Sequence, residues 1–166
     1  MSFTRNIQHI TFATKSRRPT IAEKHRRDLY RMLWDTLTKL EVHTFRIGGV
    51  GNHVHILCDI PSKWSIADVL QRVKGGSSRW MKQSGLFPKF YGWADEYYSH
   101  SCCAEEIPVI TEYIKNQEEH HKTLSWKEEM REFIRRAGGD PDMLDKLDDF
   151  PDVEPPDDAP EDASDL

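Results

Sequence analysis

Three observations predict an α+β fold for this 166-residue chain. Hydrophobic patterning runs strand, helix, strand, strand, helix, strand. Only a few glycine-rich residues separate the second and third strands, and two more helical patterns follow before the composition turns acidic. The βαββαβ order is the ferredoxin-like layout, an antiparallel sheet with helices on one face, here with two C-terminal helices and an acidic disordered tail.

Residues 5–14 alternate β-branched and aromatic side chains and read as the first strand, closed by the basic turn Lys15-Ser16-Arg17-Arg18-Pro19. Thr20 with Glu23 forms a capping-box pattern before Leu29, Leu33, Leu37 and Leu40, an apolar stripe at helical spacing. Residues 42–50 form the second strand, and Gly48, Gly49 and Gly51 bend the chain into a third, Asn52 to Cys58, which Pro61 ends. Ser65 with Asp68 caps a second helix bearing Ile66, Val69, Leu70 and Val73. Gly75-Gly76 then interrupts or continues it, at a cost of roughly 1 kcal/mol per glycine relative to Ala. A phosphate approaching that backbone between Lys74 and Arg79 accounts for the pair, and so does a local kink with solvated charges.

Residues 86–103 are rich in aromatics and lead into a fourth strand near 95–103, where some rings belong to the core and others could stack on bases. A helix from Ile107 to about His121 follows. Another opens at the Ser125–Glu128 capping box and ends at Gly138-Gly139. The domain boundary is therefore drawn at 138, with 139–166 as the tail.

Residues 1–138 hold 22 Lys/Arg against 16 Asp/Glu, a net +6, whereas 139–166 hold one lysine against 12 acids, a net −11. A basic body suits a polyanionic partner, and the acidic, proline-rich tail suits disorder. Three cysteines without C-x-x-C spacing indicate neither a disulfide framework nor a zinc ribbon and fit a reducing cytoplasm. No apolar run is long enough for a membrane span, and no signal peptide is expected.

The chemistry concentrates in Asn52-His53-Val54-His55-Ile56-Leu57-Cys58. Alternation puts His53 and His55 on one face of the strand and Val54, Ile56 and Cys58 on the other, in a core. Two imidazoles on one face suit a divalent metal, yet they supply only two ligands, and two histidines on a half-exposed strand explain the pattern as well. Later, Tyr113 and Gln117 stand four apart on one helix face, with His121 a turn beyond. Set against the two histidines they would give a nucleophile and a third ligand, although a helix tyrosine by itself is usually a half-buried packing residue with a wet hydroxyl.

The joint pattern resembles the single-tyrosine HUH transposases of the insertion-sequence 200/605 type. It comprises Thr14-Lys15-x-Arg17, Gly49-Val50-x-x-His53-Val54-His55 and Tyr113-Ile114-x-Asn116-Gln117-x-x-His120-His121, across residues 5–136. The sequence departs from the family at Asn52, where an aspartate is expected, and in its acidic tail; Asn116-Gln117, in place of Asn-Pro, points to the insertion-sequence branch.

The resemblance implies that Tyr113 attacks single-stranded DNA while His53, His55 and Gln117 hold Mg²⁺ or Mn²⁺. It also implies cleavage and rejoining through a 5′-phosphotyrosine, recognition of subterminal hairpins, a homodimer with the tyrosine helix acting in trans, and a cytoplasmic, nucleoid-associated protein. Lys15, Arg17, Arg18, Lys74 and Arg79 are the candidate DNA contacts. Competing readings are a rolling-circle-type HUH nickase, a ferredoxin-like nucleic-acid-binding module without catalysis, and a zinc hydrolase using His53, His55, His120 and His121.

Overall fold

The computed structural model describes residues 2–147. Strands β1 (Ile7–Ala13), β2 (His43–Val50), β3 (His53–Asp59) and β4 (Tyr98–Ser101) form one antiparallel sheet in the order β2-β3-β1-β4. That is the ferredoxin-like order, with β1 and β3 in the middle. Both central strands are buried almost end to end, so each needs cover on both faces. Helices α1 (Arg26–Lys39) and α2 (Ile66–Ser84) supply it on one face, where Ile10, Phe12, Val54, Ile56 and Cys58 meet Leu29, Leu33, Leu37, Val69, Leu70 and Val73. The two C-terminal helical patterns cover the opposite face.

They do so as several short pieces: α3 (Ile107–Lys115), α4 (Gln117–His120), α5 (Trp126–Arg136) and α6 (Met143–Leu147). The single helix expected to His121 breaks at Asn116, whose φ of −96° and ψ of 19° lie outside the helical region. Helix α3 lies close on β2 because Gly48 has no side chain there; a Cβ at Gly48 would stand 2.8 Å from both Cγ2 and the carbonyl oxygen of Ile114. Helix α5 starts at the expected Ser125–Glu128 capping box, and α2 at Ser65–Asp68.

Three expectations need correction. The Thr20–Glu23 capping box does not form: Ile21 is pulled into the core, its N–H donates to the Gly51 carbonyl at 2.9 Å, and the helix starts only after a 3₁₀ turn at Glu23–His25. At Gly75-Gly76 the helix runs straight on, and nothing presses on the glycines: a Cβ on Gly75 would meet no atom within 4 Å. Lys74 turns inward instead and donates to the carbonyls of Ala94 at 2.6 Å and Asp95 at 3.0 Å, pinning the aromatic loop to α2. In that loop Phe87, Phe90 and Trp93 are core, while Tyr91 and Tyr97 stay exposed.

The third correction concerns the tail. Its first residues fold: Leu144 of α6 is fully buried against Ala13, Trp126, Met130 and Phe133, and Asp145 pairs with Arg131 and Lys127 at 3.0 Å. Acidic composition hides Leu144, an apolar side chain that packs into the α5 core. Residues 148–166, the rest of the stretch expected to be disordered, lie outside the described residues.

Because α3 contacts β2 through Gly48, Gly48→Ala is expected to destabilise the chain by about 1–3 kcal/mol by overpacking. Urea unfolding compared with wild type measures this. An unchanged midpoint would mean that α3 is free to shift.

Candidate metal and nucleophile site

The site forms on the C-terminal face of the sheet. In β3 the alternation works as expected: His53 and His55 face the C-terminal helices while Val54, Ile56 and Cys58 enter the opposite core. Both histidines are fully buried, which removes the half-exposed-strand alternative. Their ring centroids are 5.1 Å apart. Asn52, just before the strand, has its Oδ1 2.7 Å from His53 Nδ1. An amide oxygen only accepts, so Nδ1 carries the hydrogen. Asn52 thereby does the orienting work expected of an aspartate.

Although the helix breaks at Asn116, Tyr113 and Gln117 both reach this face. Gln117 is buried, with its Oε1 3.0 Å from His53 Nε2. The Tyr113 ring lies edge-on to His55 at 5.8 Å and 4.9 Å from His120, with the Arg136 guanidinium 5.9 Å from its centroid. Burial and then the Glu129 charge push its pKa above the usual tyrosine value.

Glu129 is the residue that the sequence reading missed. It reaches in from α5 and is only 2% exposed, with Oε1 2.8 Å from His55 Nε2 and 3.2 Å from His53 Nε2. Its Oε2 takes hydrogen bonds from His121 Nε2 at 2.8 Å and Gln117 Nε2 at 3.2 Å. Burial by itself would raise the Glu129 pKa, but His55, His121 and His53 outweigh it and keep the carboxylate ionised. Burial lowers His53 to about 4, with Glu129 opposing the shift. A signal was available in the sequence: Trp126, Met130 and Phe133 mark the buried stripe of α5, and Glu129 falls on it.

This donor set fits a divalent cation. With Nδ1 of His53 donating to Asn52, neutral His53 presents a lone pair at Nε2, yet its neighbours there, Gln117 Oε1 and Glu129 Oε1, are acceptors too. Facing acceptors are reconciled by a cation, and the ligand atoms of His53, His55 and Glu129 all lie within 4.8 Å of one another. Imidazole, carboxylate and amide oxygen are all ligands that divalent cations take. His120 stacks on Tyr113, and His121, whose ring lies 4.6 Å from that of His53, turns its Nε2 to Glu129; the possible ligand cluster among the described residues is His53, His55 and Glu129, not the four histidines of the zinc reading.

Among the candidate DNA contacts, the Lys15–Arg17 turn adjoins the site, since Thr14 bonds to the Asn52 carbonyl at 2.8 Å; Lys15 and Arg18 are exposed. Lys74 and Arg79 belong to α2, on the opposite face of the sheet, and Lys74 is engaged by loop carbonyls.

The family model described as "Transposase IS200 like" matches residues 2–117. The chain belongs to the IS200-like transposases. Two solved structures share its fold. One is a protein of Deinococcus radiodurans R1 assigned as a transposase, 21% identical over 70% of this chain and 93% of that one, with a TM-score of 0.55. The other is a REP-associated tyrosine transposase bound to a REP hairpin, 15% identical over 73% of this chain and 74% of that one, with a TM-score of 0.54. A search of curated proteins finds no significant match. The match to the transposase family ends at Gln117, so Glu129 lies beyond it. No helix among the described residues of this transposase is long and apolar enough to cross a membrane.

His53 binds protons less readily in the fold, at about 4, than at its ordinary value of 6.5. Below 6.5 the unfolded chain therefore takes up more protons, and stability falls as pH falls. Glu129, also depressed, contributes in the same direction at lower pH. In metal-free buffer the Tm is expected to drop steadily between pH 7 and pH 4, and His53→Asn should flatten the upper part of that slope. A pH-independent Tm would refute this account.

Proposed function

We propose that this transposase cleaves and rejoins single-stranded DNA through Tyr113, with a divalent cation held by His53, His55, Glu129 and Gln117. The observation that carries the reading is the convergence of the half-buried Tyr113 ring, 5.8 Å from that of His55, with buried Gln117, Glu129 and both strand histidines. Mg²⁺ or Mn²⁺ bound there would supply Lewis-acid stabilisation of charge on the scissile phosphate.

The remaining steps belong to the chain's own groups. Tyr113 is protonated at neutral pH, its pKa pushed up by burial and then by the Glu129 charge, so its phenol proton passes to water or a base as it attacks. The phenolate oxygen attacks phosphorus and the P–O3′ bond breaks, giving a 5′-phosphotyrosine and, once the leaving oxygen gains a proton, a free 3′-OH. One phosphoester replaces another. A 3′-OH can therefore reverse the step without ATP, which suits strand transfer better than hydrolysis.

For the DNA path, the exposed Lys15 and Arg18 beside Asn52 would hold phosphates, and exposed Tyr91 and Tyr97 offer faces for stacking bases. The REP-associated relative is bound to a hairpin; a hairpin near the cleavage site is the substrate proposed here. The resemblance implies a dimer exchanging tyrosine helices; the 5.8 Å between the rings of Tyr113 and its own chain's His55 is also compatible with a site assembled in cis.

Two measurements test this. Incubated with labelled single-stranded DNA carrying hairpin ends and Mn²⁺, wild type is expected to form a covalent adduct on a denaturing gel, and Tyr113→Phe none. Free 5′-phosphate without adduct would instead indicate a hydrolase, and DNA retention without cleavage a binding module. Mixing Tyr113→Phe with His55→Ala should leave adduct formation absent if the site is assembled in cis. Recovered activity in the mixture would establish the trans arrangement.

A further inference from the structure

His9 takes no part in the chemistry above. It lies within β1, only 4% exposed, and packs edge-on to Phe133 at 5.1 Å. Across the sheet it is the diagonal neighbour of His55: His9 pairs with Leu57, and Thr11 with His55. Diagonal positions on one face are within reach of ring side chains, and His9 Nε2 stands 2.8 Å from His55 Nδ1.

Two ring nitrogens at that distance share one proton, which can sit in two places. If it sits on His9 Nε2, neutral His55 carries its own hydrogen on Nε2, aimed at Glu129 Oε1 2.8 Å away. His55 then has no lone pair for a cation. If the proton sits on His55 Nδ1, its Nε2 lone pair points to that same place. His53 is already arranged the second way, because Asn52 Oδ1 can only accept. A ligating histidine usually donates its other N–H to a carboxylate, a carbonyl or water. In this dry position between two central strands, the acceptor is another imidazole.

We propose that His9 is a positioning residue of the cation site: its Nε2 accepts the His55 Nδ1–H and so holds His55 in the tautomer whose Nε2 is a metal ligand. The inference rests on the metal-site reading above. It also separates His9 from an ordinary core residue, since a packing role needs its ring and a positioning role needs only its acceptor. His9→Gln keeps an acceptor oxygen and loses the ring; His9→Leu loses both.

The test uses the full chain in two ways. Calorimetric titration with Mn²⁺ alone is expected to show His9→Leu weakened about 10–100-fold, the usual range for loss of such an orienting partner, with His9→Gln close to wild type. Long-range ¹H–¹⁵N correlation on histidine-labelled wild type saturated with Mg²⁺ should show His55 protonated at Nδ1, a readout that needs no variant to fold. His55 protonated at Nε2 would overturn the proposal. So would folded His9→Leu that binds like wild type, or His9→Gln as weak as His9→Leu. If wild type binds neither ion, the metal-site reading fails and this inference with it; if wild type binds and only the His9 comparisons fail, the metal site stands without it.

Discussion

Glu129 joins the elements that make the site. Its carboxylate is buried between α5 and the sheet, within hydrogen-bond reach of His53 and His55 from β3, His121 after α4 and Gln117 within it. An ionised carboxylate in such a place has lost its water, and imidazole and amide groups must replace it. The same contacts fix how α4 and α5 sit on the sheet. Structural need and chemical use therefore coincide: the groups that make a buried charge tolerable are those that can surround a cation.

The scaffold keeps these demands apart. On one face of β3, Val54, Ile56 and Cys58 belong to an apolar core with α1 and α2. That core requires no polar group, so the opposite face can be almost wholly polar at its centre. Close approach of α3 at Gly48 and the break at Asn116 then set the height and direction from which Tyr113 and Gln117 arrive. Apolar cover continues around the site through Trp126, whose ring is 4.7 Å from His53, and through Phe133 and Leu144. These groups exclude water, which strengthens every electrostatic contact inside.

Much of this was readable from local pattern. The strand alternation at His53–Cys58 and the capping boxes at Ser65 and Ser125 formed as expected, because each depends on residues within a few positions of one another. Thr20 and Lys74 behaved differently for a shared reason. Each was read by its neighbours in the chain, and each took its place from a distant partner: docking of Ile21 beside Gly51 displaced the cap, and carbonyls in the aromatic loop claimed the lysine.

Sequence alone determined the order of elements and the shared face of His53 and His55, since period and spacing are properties of the backbone. Only the tertiary structure decided which acid completes the site. Glu128 and Glu129 are adjacent in the chain, but one caps its helix and the other is buried among histidines. The difference lies in the rotation of α5 against the sheet, and that rotation is set by packing of Trp126, Met130, Phe133 and Leu144. Likewise His9, 46 positions before His55, became its hydrogen-bond partner through strand register. Register and helix rotation are long-range properties, settled when the whole core closes.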